Sequence, residues 1–165
     1  MEGQSFLDWL ARWEENLPTV ALEEIASQPD RVALVSVDLV KGFCSEGPLA
    51  SPRVASIIPT VVRLFQRAHD LGVRHFLLTQ DTHDPDAVEF TAFPPHCVVG
   101  TSESETIDEL NNLPFANLFT VIPKKSLSSN IGTGLDPWLG AHPEVNTFII
   151  VGDCTDLCVY QAAMY

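Results

Sequence analysis

No run in the 165 residues is apolar enough, for long enough, to cross a bilayer, which excludes a transmembrane helix. Cations are scarce. Nine Lys and Arg stand against 22 Asp and Glu, a formal charge of -13 at pH 7. That balance disfavours nucleic acid and membrane surfaces as partners, and it says little about a small neutral substrate. The opening stretch, MEGQSFLDWLARWEENLP, lacks a basic start followed by an apolar block, so it does not read as a secretory signal. There are four cysteines and no CxxC; Cys154 and Cys158 stand four apart. This spacing argues against a redox pair or zinc knuckle, and the low count points to reduced thiols in a cytoplasm rather than a disulfide framework. Internal repeats and low-complexity linkers are absent too.

What is present is an alternation of strands and helices. Residues 1–30 form a helical extension: Phe6, Leu10, Trp13 and Leu17 share one helix face, Ser5 with Asp8 offers a capping signal, and Pro18 ends the run. TVALEEIASQ reads as a second short helix, and the extension is expected to pack on the core or on a partner chain. From residue 31 the pattern changes. RVALVSVD (31–38), VRHFLLTQD (73–81), NLFTVIPK (117–124) and VNTFIIVGD (145–153) read as buried strands. Between the first two, SPRVASIIPTVVRLFQRAHDLG carries a helical stripe of Ile57, Ile58, Val61, Leu64, Phe65 and Ala68. TSESETIDELNNLP and TGLDPWLGAH supply shorter helical pieces, and a last helix begins near Thr155. The fold class is therefore α/β, a mainly parallel sheet covered on both faces in three α/β/α layers.

In such sheets ligands bind beyond the carboxyl ends of the strands. Those ends carry Asp38, Asp81, Lys124 and the segment from Asp153 to Cys158. An acid, an ammonium and a thiol on one rim suit nucleophilic catalysis. Lys124 could favour a Cys158 thiolate, Asp38 could take its proton, and the start of the following helix adds positive potential. The N–H groups of Cys154 and Cys158 could face a developing oxyanion. Each residue also has a plainer reading: Cys158 as a small buried hydrophobe, Asp38 as a loop cap, Lys124 or Lys125 as a solvated lysine.

A second constellation lies in QDTHDPDAVEFTAFPPHC (80–97). Asp81 and His83 face one way on an extended segment, and His96 returns after a loop. One carboxylate and two imidazoles suit Zn²⁺, Fe²⁺ or Mn²⁺ with positions left open; the alternative is a polar loop whose histidines only hydrogen-bond. His69, His75 and His142 lie outside the pattern and read as surface or packing residues.

Together these segments resemble the isochorismatase-like cysteine hydrolases, and within them the nicotinamidases. ALVSVDLVKGFCSEGPLA is similar to the family's opening motif with its catalytic aspartate; TQDTH with FPPHC to the metal motif; VIPKKSLSSNIGTGL to the lysine segment; and VGDCTDLCV to the nucleophile turn. The resemblance runs from residue 31 to 165. It implies a catalytic set of Asp38, Lys124 and Cys158, with Lys125 as the fallback lysine. It implies a divalent metal, zinc foremost and iron or manganese otherwise, on Asp81, His83 and His96. It implies a non-proline cis peptide at Asp153–Cys154 shaping the oxyanion turn. Phe43 and Phe93 would wall a flat aromatic pocket. Relatives continue past the nucleophile helix with a further strand and helix, which this sequence lacks. The activity implied is hydrolysis of a small carboxamide through a thioester, nicotinamide to nicotinate and ammonia, in a cytoplasmic homo-oligomer. The alternatives are an amidase of another substrate, such as an N-carbamoyl compound, or a silent domain binding a ligand or partner.

Overall fold

The structure is a computed structural model that describes residues 2–165, with side chains from Ser5 onward. Four parallel strands form one sheet: β1 (Val32–Val37), β2 (His75–Asp81), β3 (Phe119–Lys124) and β4 (Thr147–Gly152), in spatial order β3-β2-β1-β4. The register pairs Val37 with both Thr79 and Gly152, and Asp81 with Lys124. All four strands point the same way, so their carboxyl ends, and the residues just beyond, share one rim. Every residue of β1 is buried, as a central strand covered on both faces must be.

Eight helices accompany the sheet among the described residues: α1 (Glu2–Glu15), α2 (Leu22–Ile25), α3 (Lys41–Cys44), α4 (Pro52–Ala55), α5 (Ile58–Asp70), α6 (Asp108–Asn111), α7 (Leu135–Ala141) and α8 (Cys158–Met164). On one face, Ile58, Val61, Phe65 and Ala68 of α5 pack on Leu34, Phe76 and Leu78. Phe65 is fully buried against Phe76, ring centroids 5.4 Å apart, and contributes roughly 2–3 kcal/mol by apolar burial. On the other face, Leu135 of α7 and Cys158 of α8 pack on Val35, Val37 and Leu77. These are the three layers expected from the sequence.

The stripe from Ile57 to Ala68 forms α5 and its N-cap, with Pro59 in the first turn, as its position near the start implied; the single turn of α4 before it is capped by Ser51, which accepts from Arg53 N at 3.2 Å. Local boundaries differ from expectation at two places. Helix α1 begins at Glu2, so Ser5 and Asp8 lie inside it rather than at its cap. The last helix begins at Cys158, not near Thr155, because Cys154 takes φ 52° and Leu157 a non-helical ψ of -95°. No described helix is long and apolar enough to cross a membrane.

Candidate active site

Asp38 follows β1 directly and takes a left-handed φ of 58°, which turns its side chain over the strand ends. Its N–H donates to Thr79 O at 2.9 Å, and its Oδ1 accepts from Asp81 N at 2.8 Å. Lys124 closes β3 with no exposed surface. Its Nζ lies 2.8 Å from Asp38 Oδ2, donates to Asp81 Oδ1 in a very short contact, and stands 3.6 Å from Cys158 Sγ. Cys158 opens α8 and is 3% exposed. The structure thus gathers Asp38, Lys124 and Cys158 around one ammonium. Lys125 points away: it is exposed and pairs with Asp84 at 2.6 Å.

The charges in this cluster are strongly coupled. Burial alone would lower the Lys124 pKa, but the Asp38 and Asp81 charges outweigh it and hold the ammonium above the ordinary lysine range. Burial, then the Asp81 charge, raises Asp38 to about 6. Burial, then Asp38, pushes the Cys158 thiol well above its usual range, against the Lys124 charge. Burial and Asp38 thus favour the thiol over the thiolate, against the pull of Lys124. Asp38 Oδ2 sits in ion-pair contact with Lys124 yet makes no well-directed hydrogen bond. It is a carboxylate oxygen with lone-pair capacity left for a proton.

The turn after β4 depends on Gly152, whose φ is 145° and whose missing Cβ would stand 2.1 Å from Val37 O. Asp153 N donates to Val37 O at 3.2 Å, anchoring the turn to β1 beside Asp38. The cis peptide expected at Asp153–Cys154 is absent; no described peptide bond is cis. Gly152 and Cys154, both at positive φ, make the reversal instead. Cys154 O accepts from Leu157 N and Val159 N, while among the described residues the Cys154 and Cys158 N–H groups have no backbone acceptor. Burial, then Asp38 and Asp81, raises the carboxyl of Asp153 to about 7.

The Asp81, His83 and His96 ligand atoms all lie within 4.8 Å of one another, and all three residues are buried. Asp81 joins the two clusters: one oxygen meets Lys124, and the other stands 3.6 Å from His83 Nε2 and 4.0 Å from His96 Nε2. Local pairing brings the histidines in. His83 N donates to Cys97 O at 3.0 Å, and Val99 N to His83 O at 2.8 Å, which stitches the 96–99 segment beside residue 83. Gly42 of α3 lets that segment pack closely, since a Cβ there would lie 2.7 Å from Cys97 Sγ. His96 Nδ1 contacts Pro94 O at 2.8 Å, an arrangement in which Nδ1–H donates and leaves Nε2 as a lone pair.

A divalent cation fits this group. His83 is fully buried, yet among the described residues neither ring nitrogen has a hydrogen-bond partner, a desolvation cost of about 1–3 kcal/mol that ligation of a cation would offset. Glu89 Oε2, 3.7 Å from His83 Nε2, adds a fourth donor that sequence reasoning missed. An oxygen and nitrogen set of this kind suits zinc, iron(II) or manganese(II). His96→Ala is expected to weaken metal binding by at least ~100-fold. Metal analysis of the purified variant checks this; an unchanged stoichiometry contradicts it.

Aromatic rings surround His96. Phe43, buried, is 5.6 Å from it by ring centroid, and Phe93, partly exposed, is 6.4 Å away. Phe90, also missed from the sequence, is 5.5 Å from both His83 and His96. The available signal was VEF between the two histidine motifs, an acid and a ring in a loop whose ends both reach the metal group.

The isochorismatase domain model matches residues 32–165. Nicotinamidase 1 of Arabidopsis thaliana is 29% identical over 151 residues, which cover 83% of this chain and 60% of that protein. The chain thus spans less than two thirds of that relative. The structure of N-carbamoylsarcosine amidase from Thermoplasma acidophilum superposes with TM-score 0.71 at 29% identity, covering 81% of this chain and 74% of the other. Pyrazinamidase of Pyrococcus horikoshii, solved in complex with zinc, gives TM-score 0.70 at 27% identity, covering 81% and 76%.

Proposed function

The chain belongs to the isochorismatase family, and within it we propose that this protein is a cysteine amidohydrolase that releases ammonia from a small carboxamide. The observation that carries the reading is the buried Lys124 ammonium, in contact with Asp38 and Asp81 and 3.6 Å from Cys158 Sγ. As the sulfur attacks the carboxamide carbon, its proton passes to Asp38. Lys124 stays protonated throughout and offsets the negative charge that the sulfur carries during attack. The N–H groups of Cys154 and Cys158 receive the oxyanion. Asp38 then returns the proton to the amine as the C–N bond breaks, leaving ammonia and a thioester. In the second half Asp38 takes a proton from water as its oxygen attacks the thioester, and returns that proton to the sulfur as the C–S bond breaks, which frees the acid and restores both the thiol and the Asp38 carboxylate.

Nicotinamide is the substrate favoured, for two reasons. The Arabidopsis relative is a nicotinamidase. The buried Asp81, His83 and His96 group lies among the rings of Phe43, Phe90 and Phe93, which suits a flat heteroaromatic ring. Asp81, His83 and His96 would hold zinc, with Glu89 beside them. When bound, the metal would supply a Lewis-acidic contact for a heteroaromatic nitrogen. A second reading, an amidase of an N-carbamoyl compound, is favoured by the structural similarity to N-carbamoylsarcosine amidase. Ammonia release across nicotinamide, pyrazinamide and N-carbamoyl compounds separates the two: dominant turnover of an N-carbamoyl compound would overturn the nicotinamide reading.

The proton acceptor sets the pH dependence. Asp38 works only as the carboxylate, and burial with the Asp81 charge raises it to about 6. Its acid form is inactive, so kcat/KM is expected to fall about tenfold per unit as pH drops below that value, and to be flat just above it. Asp38→Asn should remove this limb together with nearly all turnover. An acid limb near the ordinary carboxylate range would contradict the assignment.

A further inference from the structure

Helix α1 stands apart from the sheet domain. Every described residue from Ser5 to Val20 is exposed except Leu10, which is partly so. Yet the helix is strongly two-faced. At 100° per residue, Phe6, Trp9, Leu10 and Trp13 gather on one side, with Leu17 just past the helix end, while Asp8, Arg12 and Glu15 lie on the other. Phe6 is 58% exposed, Trp9 51%, Trp13 54% and Leu17 46%. A helix of 14 residues is marginal alone in water, so this face needs a cover to hold the helix.

We propose that the cover is the same helix of a second copy, so that α1 is a dimerisation element pairing antiparallel with its counterpart across a two-fold axis. Three observations select this occupant. First, the area is sufficient: four large side chains about half exposed, with Leu10 partly so, offer roughly 500 Å² per copy, so the pair removes about 1,000 Å², the lower bound for a specific interface. Second, the face contains no charge at positions 6, 9, 10, 13 and 17, so two copies meet through apolar surface although each carries -13 overall. Third, the helix does not suit an anionic membrane. It has one cation, Arg12, against Glu2, Asp8, Glu14 and Glu15, whereas helices that lie on membranes are rich in Lys and Arg. Pairing of identical faces also closes on itself, whereas docking the helix into another site on a neighbouring copy would propagate.

The charge leaves a signature. Two acidic copies repel, so salt should tighten the dimer, the reverse of what an oppositely charged partner gives. Sedimentation velocity of the full chain over a concentration series, at low and high salt, is the test. The expected result is a monomer–dimer equilibrium strengthened by salt. Trp13→Glu should raise Kd at least about tenfold, and the milder pair Trp9→Ala with Trp13→Ala should do so without adding charge. Arg12→Ala, on the opposite face, should change Kd by less than about twofold. Unaltered amide hydrogen-exchange protection of β1 and β2 shows that the variants' sheet is folded. A wild type that is monomeric at every concentration and salt overturns the proposal. So does a dimer indifferent to both tryptophan variants, or a monomer that floats with neutral phosphatidylcholine vesicles in a Trp13-dependent way.

Discussion

Replacing Cys158 by alanine is expected to reduce ammonia release by at least ~10⁴-fold while leaving the fold intact, with stability changed by about 1 kcal/mol. The asymmetry follows from the residue's position. Its sulfur is a small buried group on the inner side of α8, so its removal leaves a minor void. The same sulfur is the atom in the rim best placed to attack a carbonyl, 3.6 Å from the Lys124 ammonium. Cys158→Ser should be nearly as inactive, since a hydroxyl lacks the low-energy anion that a thiol offers. Cys154→Ala is the contrasting control. Cys154 is exposed, and its part is played by the backbone N–H, so turnover should stay within about tenfold of wild type. Loss of turnover in Cys154→Ala alone would reverse the assignment of the two thiols.

Lys124→Met should be costly twice over. The variant removes the ammonium that contacts both Asp38 and Asp81, and leaves Asp38 buried beside a second carboxylate. Breaking a buried pair in this way destabilises by about 3–5 kcal/mol. The sign of the pH dependence distinguishes this from a simple packing defect. With the ammonium gone, Asp38 has lost a group that holds its pKa down, so the variant should recover stability as pH falls and the carboxylates take up protons. Chemical denaturation of wild type and variant at two pH values measures the gap. A gap that is small and constant with pH contradicts the ion cluster. Turnover should vanish in parallel, because the sulfur loses its counter-charge.

How much of this is legible in sequence depends on whether a feature is local or made by contacts. The central strands β1 and β2 could be read because a strand buried on both faces is nearly all apolar, as in VALVSV. The edge strands β3 and β4, expected to be buried, are only partly so and were legible from their β-branched residues. With the strands placed, Asp38, Asp81 and Lys124 fell at carboxyl ends, and a parallel sheet brings carboxyl ends together whatever the strand order. The start of α5 was legible because Pro59 suits a first turn, while the single turn of α4 before it is too short to carry a periodicity. Glu89 and Phe90 were missed because loop residues carry no periodicity, and only the pairing of residue 83 with the 97–99 segment folds them over the histidines. The state of the Cys158 sulfur was also out of reach. A lysine nearby predicts a thiolate, but burial beside Asp38 reverses the sign, and burial is a property of the whole fold. Similarly, the periodicity of α1 announces an apolar face without saying what covers it.

Turnover by this site requires that the Cys158 sulfur, with Lys124 and Asp38 against it, become acylated by the carboxamide. Intact-mass measurement after acid quench of the enzyme turning over nicotinamide tests it most directly. The account predicts a species heavier than the free chain by one nicotinoyl group, mapped to Cys158 by peptide sequencing, lost on hydroxylamine treatment and absent from Cys158→Ala. Steady ammonia release with no such adduct, or an adduct carried by Cys154 or by Cys158-free protein, would contradict it.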